Sequence, residues 1–121
     1  MQYLLLINDD EAHWAEMPED ERNGIYAEYG RYTEALAASG ALVGANQLQP
    51  SGTATVVHVE DGKTITTDGP FAETKEVLGG YYLIDVATLD EALEWAAKLP
   101  SARYGRIEVR PVVMREAEVA S

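Results

Sequence analysis

The segment TTDGPFAETKEVLGGYYLIDV, residues 66–86, gathers more ionisable chemistry than a connection between two strands requires. Asp68 precedes Gly69 and Pro70, with Glu73, Lys75 and Glu76 close behind. An aspartate ahead of Gly-Pro accepts hydrogen bonds from nearby amides and fixes a turn. Pro70 locks its own φ and lacks an N–H, and it narrows the freedom of Gly69. A rigid loop of this kind equally positions a catalytic carboxylate. In that role Asp68 acts as general base or as anchor for a polar group, once partial burial raises its pKa. Glu73 and Lys75 read either as a solvated charged loop or as a carboxylate and an ammonium at a pocket mouth. Lys75 there neutralises a developing enolate or a carboxylate substrate.

Tyrosines supply the other candidate donors. Tyr29 and Tyr32 share one apolar helical stripe, which suits core packing, and a buried tyrosine needs a partner for its hydroxyl. Tyr81 and Tyr82 are neighbours on a strand, so they face opposite sides of a sheet and one of them faces the interior, where a ligand fits. His13, beside Trp14, and His58 are the only histidines, and neither has metal-ligand spacing. His13 reaches a pocket if its loop folds over it. Arg103, Arg106, Arg110 and Arg115 cluster near the C-terminus, as a solvated face or as a local anion site in which Arg103 competes with Lys75 as the cationic partner. There is no Gly-x-Ser-x-Gly and no phosphate-binding glycine loop; "LGG" alone is too short.

Composition narrows the classes. The 121 residues include no cysteine, which rules out disulfides, thiol nucleophiles and cysteine zinc sites and fits a reducing compartment. A net charge of −12 repels phosphate backbones and anionic lipids, so direct nucleic-acid or membrane binding is not expected. The start MQYLLLIN is too short and lacks the basic flank of a signal peptide. No apolar run approaches the ~20 residues of a membrane helix. The expected location is the cytoplasm, and no cofactor is implied.

The elements that must hold these residues follow from periodicity. QYLLLI reads as a strand covered on both faces, and NDDEAHWAEM as an acidic loop. A helix is predicted over about 18–39, opened by Pro18 and three acids and closed by Gly40, with Ile25, Tyr29, Tyr32 and Leu36 on its stripe. ALVGANQLQ is a second strand. TATVVHVE and TITTD flank Asp61-Gly62 as a hairpin. GYYLIDV is a strand, and Thr88 with Glu91 forms a capping box for a helix that buries Leu89, Ala92, Leu93, Ala96 and Leu99. GRIEVRPVV is the last strand. Residues 1–114 form a single domain and 115–121 a tail. Set apart from the inserted hairpin, the order is βαββαβ, the ferredoxin-like α+β arrangement.

The residues DGPFAETKE, LGGYYLIDV, YLLLI, ALVGANQLQP, LDEALEWAAKLP and EVRPV together resemble the DGPF subgroup of the YCII-related family, over nearly the whole chain. The resemblance implies a ferredoxin-like fold assembled as a dimeric α+β barrel. Muconolactone-type isomerases and dehalogenases share that architecture, and DGPF proteins occur beside or fused to extracytoplasmic-function sigma factors. The YCII branch proper carries a proposed His–Asp pair. Here Tyr29 falls near the histidine position, and Leu99 precedes Pro100 where the aspartate is expected, so the pair does not carry over.

The expectation is therefore a homodimer that binds a small polar or anionic ligand or performs cofactor-free acid–base chemistry, with Asp68 as base and Glu73, Lys75, Tyr29, Tyr82, Arg103 and His13 around the ligand. The alternative is a non-catalytic accessory module working with such sigma factors. Two helices cover one face of the sheet, and a second copy packed sheet to sheet covers the other. Analytical ultracentrifugation at micromolar concentration should give a dimer mass; a monomer contradicts the sheet-to-sheet assembly.

Overall fold

The computed structural model describes residues 1–71 and 74–115. Six strands and three α-helices follow one another as β1 (Gln2–Asp10), α1 (Glu11–Glu16), α2 (Glu19–Ala38), β2 (Leu42–Gln47), β3 (Thr55–Glu60), β4 (Lys63–Asp68), β5 (Glu76–Asp85), α3 (Leu89–Ala97) and β6 (Arg106–Pro111). Short 3-10 turns occupy Ser51–Thr53 and Pro100–Arg103. The main sheet has the order β2-β5-β1-β6, every neighbour antiparallel. This α+β order is compatible with the ferredoxin-like arrangement. β3 and β4 pair separately as a two-stranded sheet about Asp61 and Gly62.

Strand alternation decides the core. Tyr3, Leu5 and Ile7 of β1 and Tyr82 and Ile84 of β5 are buried and join Tyr32, Leu36, Ala92, Ala96 and Leu99 in one cluster. Leu4, Leu6, Tyr81 and Leu83 take the opposite parity and are half-buried. β6 pairs only with β1, and an edge strand tolerates Pro111.

Several expectations are corrected. NDDEAHWAEM is not a loop: β1 continues to Asp10, whose carboxylate caps α1 by accepting from the Ala12 N–H at 3.0 Å. Leu89 and Leu93 are exposed, because α3 meets the core through the small residues Ala92 and Ala96. Val113 lies beyond β6 and is exposed. The cap of α3 is confirmed, with Thr88 Oγ1 accepting from the Glu91 N–H at 3.2 Å. The Glu91 carboxylate, however, accepts from the Ala87 N–H rather than from that of Thr88.

Two irregularities shape the end of the sheet beside α1. The register of β1 on β5 passes from Ile7↔Gly80 to Asn8↔Leu78, so Gly79 is an extra residue in a β-bulge. On the other edge, Gly105 lies against β1 so closely that a Cβ there would sit 2.1 Å from the Asn8 carbonyl oxygen and 2.9 Å from Asp9 Cα. Only glycine lets the Pro100–Arg103 turn close onto the strand. Gly105→Ala should therefore destabilise the protein by about 1–3 kcal/mol in denaturant unfolding. Gly24→Ala, in α2 where a Cβ meets nothing within 4 Å, should stabilise it by roughly 0.5–1 kcal/mol. Equal effects at the two sites would contradict the tight packing at Gly105.

Candidate functional site

Between β1, β2, β5, α1 and α2 lies a cavity of about 890 Å³, within the range of small-molecule sites. Its wall is largely apolar and aromatic, with Ile7, Trp14, Tyr26, Leu48 and Leu78 among its residues. Trp14 and Tyr26 meet edge to face at 5.3 Å, an arrangement aromatic pairs favour. Its polar lining includes the Glu11 carboxylate, the amides of Asn46, Gln47 and Gln49, and a group formed by Asp9, Tyr29, Thr33, Tyr82 and Ser101.

Each is placed by a local feature. Asp9 continues the inward parity of Tyr3, Leu5 and Ile7, opposite the bulge, where a Cβ on Gly79 would stand 3.6 Å from Asp9 Oδ1. Ser101 is buried, on the turn that Gly105 allows to close. Tyr29 reaches from α2, its hydroxyl 2.5 Å from Ser101 Oγ. One turn later on α2, Thr33 Oγ1 donates to the Tyr29 carbonyl at 2.8 Å and sits 2.6 Å from the Tyr82 hydroxyl. Behind them Tyr32 stands edge-on to Tyr82 and Trp95 and donates its hydroxyl to the Trp95 carbonyl at 2.9 Å.

Burial raises the Asp9 pKa above the ordinary aspartate value; hydrogen bonding from Ser101 opposes this, and the charges of Glu11, Glu76 and Asp10 add to the rise. Burial also raises the Tyr29 pKa, against hydrogen bonding from Ser101. Tyr32 is pushed up in the same direction, by burial first. Glu11 plays a different part from Asp9. It accepts from the Ser51 N–H at 2.9 Å and from the Ser51 hydroxyl, clamping α1 to the segment that follows the rim residues Leu48, Gln49 and Pro50. Glu76 is likewise engaged, 2.7 Å from Arg106 Nη1. Asp9 is thus the cavity carboxylate left facing the interior space.

The residues singled out from sequence divide. Tyr29 and Tyr82 line this cavity. Asp68 is exposed at the end of β4 and lines neither this cavity nor a smaller cleft. Gly69 after it has φ +94° and donates its N–H to the Ala54 carbonyl at 2.7 Å, so glycine is needed for that turn. Lys75 borders the smaller cleft, of about 340 Å³, with Asp10 and Glu11. Arg103 is exposed, 3.0 Å from the Glu28 carboxylate and over the Tyr104 ring. His13 is exposed, its ring centroid 5.8 Å from that of Tyr104. His58 is exposed on β3. Glu73 lies outside the described residues.

Asp9 and Ser101 were not singled out in the sequence. The signal for Asp9 is its parity with Ile7, which the acidic run at residues 8–11 masks because such a run resembles a loop. Ser101 offered no signal, since its place depends on Gly105 meeting β1 from the far end of the chain. Among the described residues no cluster of three or more histidine, aspartate or glutamate side chains is arranged to hold a metal. None of their helices is long and apolar enough to cross a membrane.

The model of the YCII-related domain family matches residues 1–116 of the chain. An uncharacterised protein of Rhizobium meliloti (strain 1021) is 37% identical over 116 residues, an alignment that covers 94% of each chain.

Proposed function

The chain belongs to the YCII-related domain family, and on that premise we propose that it binds a small molecule in the 890 Å³ cavity and carries out cofactor-free proton transfer with Asp9 as base. The run Asp68-Gly69-Pro70-Phe71 supports placing it in the DGPF subgroup. The half-buried apolar residues Leu4, Leu6 and Leu83 on the second face of the sheet support a dimeric barrel.

One observation carries the functional reading: a half-buried carboxylate with raised pKa faces an apolar cavity beside a short tyrosine–serine contact. A base works best when its pKa approaches the working pH, and desolvation moves Asp9 in that direction. In the forward step a substrate X–H bond breaks, and its proton forms an O–H bond on Asp9. That bond breaks again when the proton returns to a different substrate atom, so the net result is an isomerisation with no other reagent consumed. Ser101, in contact with Tyr29, favours the ionised carboxylate by hydrogen bonding. Lys75 and Arg103 take no part here, since neither lines the cavity.

The test is deuterium incorporation from D2O into a panel of small hydroxyketones, aminoketones and hydroxylactones, followed by NMR. The wild-type protein should accelerate exchange in at least one member. Asp9→Asn should lose about 10²–10⁴-fold of that rate, the usual contribution of a general base. Asp68→Asn should lose little. A wild-type rate retained in Asp9→Asn, or lost only in Asp68→Asn, would remove Asp9 from the chemistry.

A further inference from the structure

Resting on the reading of the cavity as the ligand site, we infer that its ligand carries no negative charge and donates hydrogen bonds into the cavity: a small hydroxyl- or amine-bearing molecule. Charge gives the first half. Among the described residues no lysine, arginine or histidine lines the cavity, whereas Asp9 and Glu11 do, and the whole chain carries −12. An anion entering here loses water and meets carboxylates without a compensating cation.

Proton counting gives the second half. Thr33 has one hydroxyl proton and donates it to the Tyr29 carbonyl at 2.8 Å. In the 2.6 Å contact between Thr33 and Tyr82 the donor is therefore Tyr82, whose proton is used up there. In the 2.5 Å contact between Tyr29 and Ser101 either oxygen can be the donor, so one of those two protons is held in it. Three hydroxyl protons, those of Thr33 and Tyr82 and one of the Tyr29–Ser101 pair, are spent inside the protein. What Asp9 and Tyr82 present to the cavity is lone pairs. The amides of Asn46, Gln47 and Gln49 line another part of the cavity, but a ketone oxygen placed against Asp9 and Tyr82 finds no donor, whereas an O–H or N–H finds acceptors. The O–H or N–H of such a ligand is also a proton within reach of Asp9.

The experiment is an amide-resolved NMR titration of the whole chain near pH 7 with similarly sized probes. These are 1-phenylethanol, its ketone acetophenone, 1-phenylethylamine (an ammonium at this pH) and benzoate. The alcohol and the ammonium should shift Asp9, Gly79 and Ser101 and bind about fivefold or more tightly than acetophenone, the equivalent of one ordinary hydrogen bond. Their relative affinity tells a neutral donor from a cationic one. Benzoate should be weakest. Thr33→Val removes the acceptor of the Tyr82 proton and frees it for the cavity, so acetophenone should gain affinity in that variant. Acetophenone binding as tightly as the alcohol, or benzoate as tightly as either, overturns the inference. If no probe shifts these residues, the ligand-site reading falls with it. If the order holds while Asp9→Asn still exchanges protons, the inference stands and the catalytic reading falls.

Discussion

The backbone of Gly105 rests on Asn8 and Asp9 at a distance that leaves no room for a methyl group. That contact joins the last strand's entry turn to the end of the first strand and brings Ser101 into the site of Asp9. Without it, Asp9 would be a carboxylate near a strand end, hydrated like most acids of this chain. With it, the carboxylate loses part of its water, gains a serine hydroxyl and faces a cavity instead of solvent. The bulge at Gly79 works from the other side of β1, where no side chain fills the space before Asp9 Oδ1.

Three carboxylates of the same acidic segment therefore have different physical roles. Glu11 is saturated by the Ser51 amide and hydroxyl and acts as a clamp on the rim. Asp10 caps α1. Asp9, on β1, lines the cavity and bears the desolvation penalty. A paired, hydrogen-bonded acid adds to stability, whereas a desolvated one costs stability when ionised and is retained where chemistry uses it.

Most of the fold was legible because it rests on local signals. The stripe through Ile25, Tyr32 and Leu36, Pro18 at the start of α2, the Thr88 cap and the Asp61-Gly62 turn each act over a few residues. The opposed faces of Tyr81 and Tyr82 follow from strand geometry, and Tyr82 is the buried one. The site was legible only in its tyrosines. Asp68 drew attention through the chemistry of its turn, and that turn holds the strand end in solvent. Asp9 and Ser101 lie 92 positions apart, and what joins them is a glycine whose importance is steric. No periodicity or spacing rule encodes an approach between distant backbones, so the pair is visible only once the sheet order places β6 beside β1.

The central claim is that the fold desolvates Asp9 at the cavity and that Ser101 partly compensates. Its sign is definite. A carboxyl whose folded pKa is raised above the ordinary aspartate value of 3.8 favours folding below that value and loses that contribution as pH rises through the folded pKa. At neutral pH the ionised Asp9, with Glu11, Glu76 and Asp10 around it, is held at a cost to stability. The most direct measurement is a carbon-13 NMR titration of the Asp9 carboxyl in the intact protein and in Ser101→Ala. The midpoint should lie above the ordinary aspartate value and move higher when the serine hydroxyl is removed. A midpoint at or below that value, unchanged in Ser101→Ala, would contradict it.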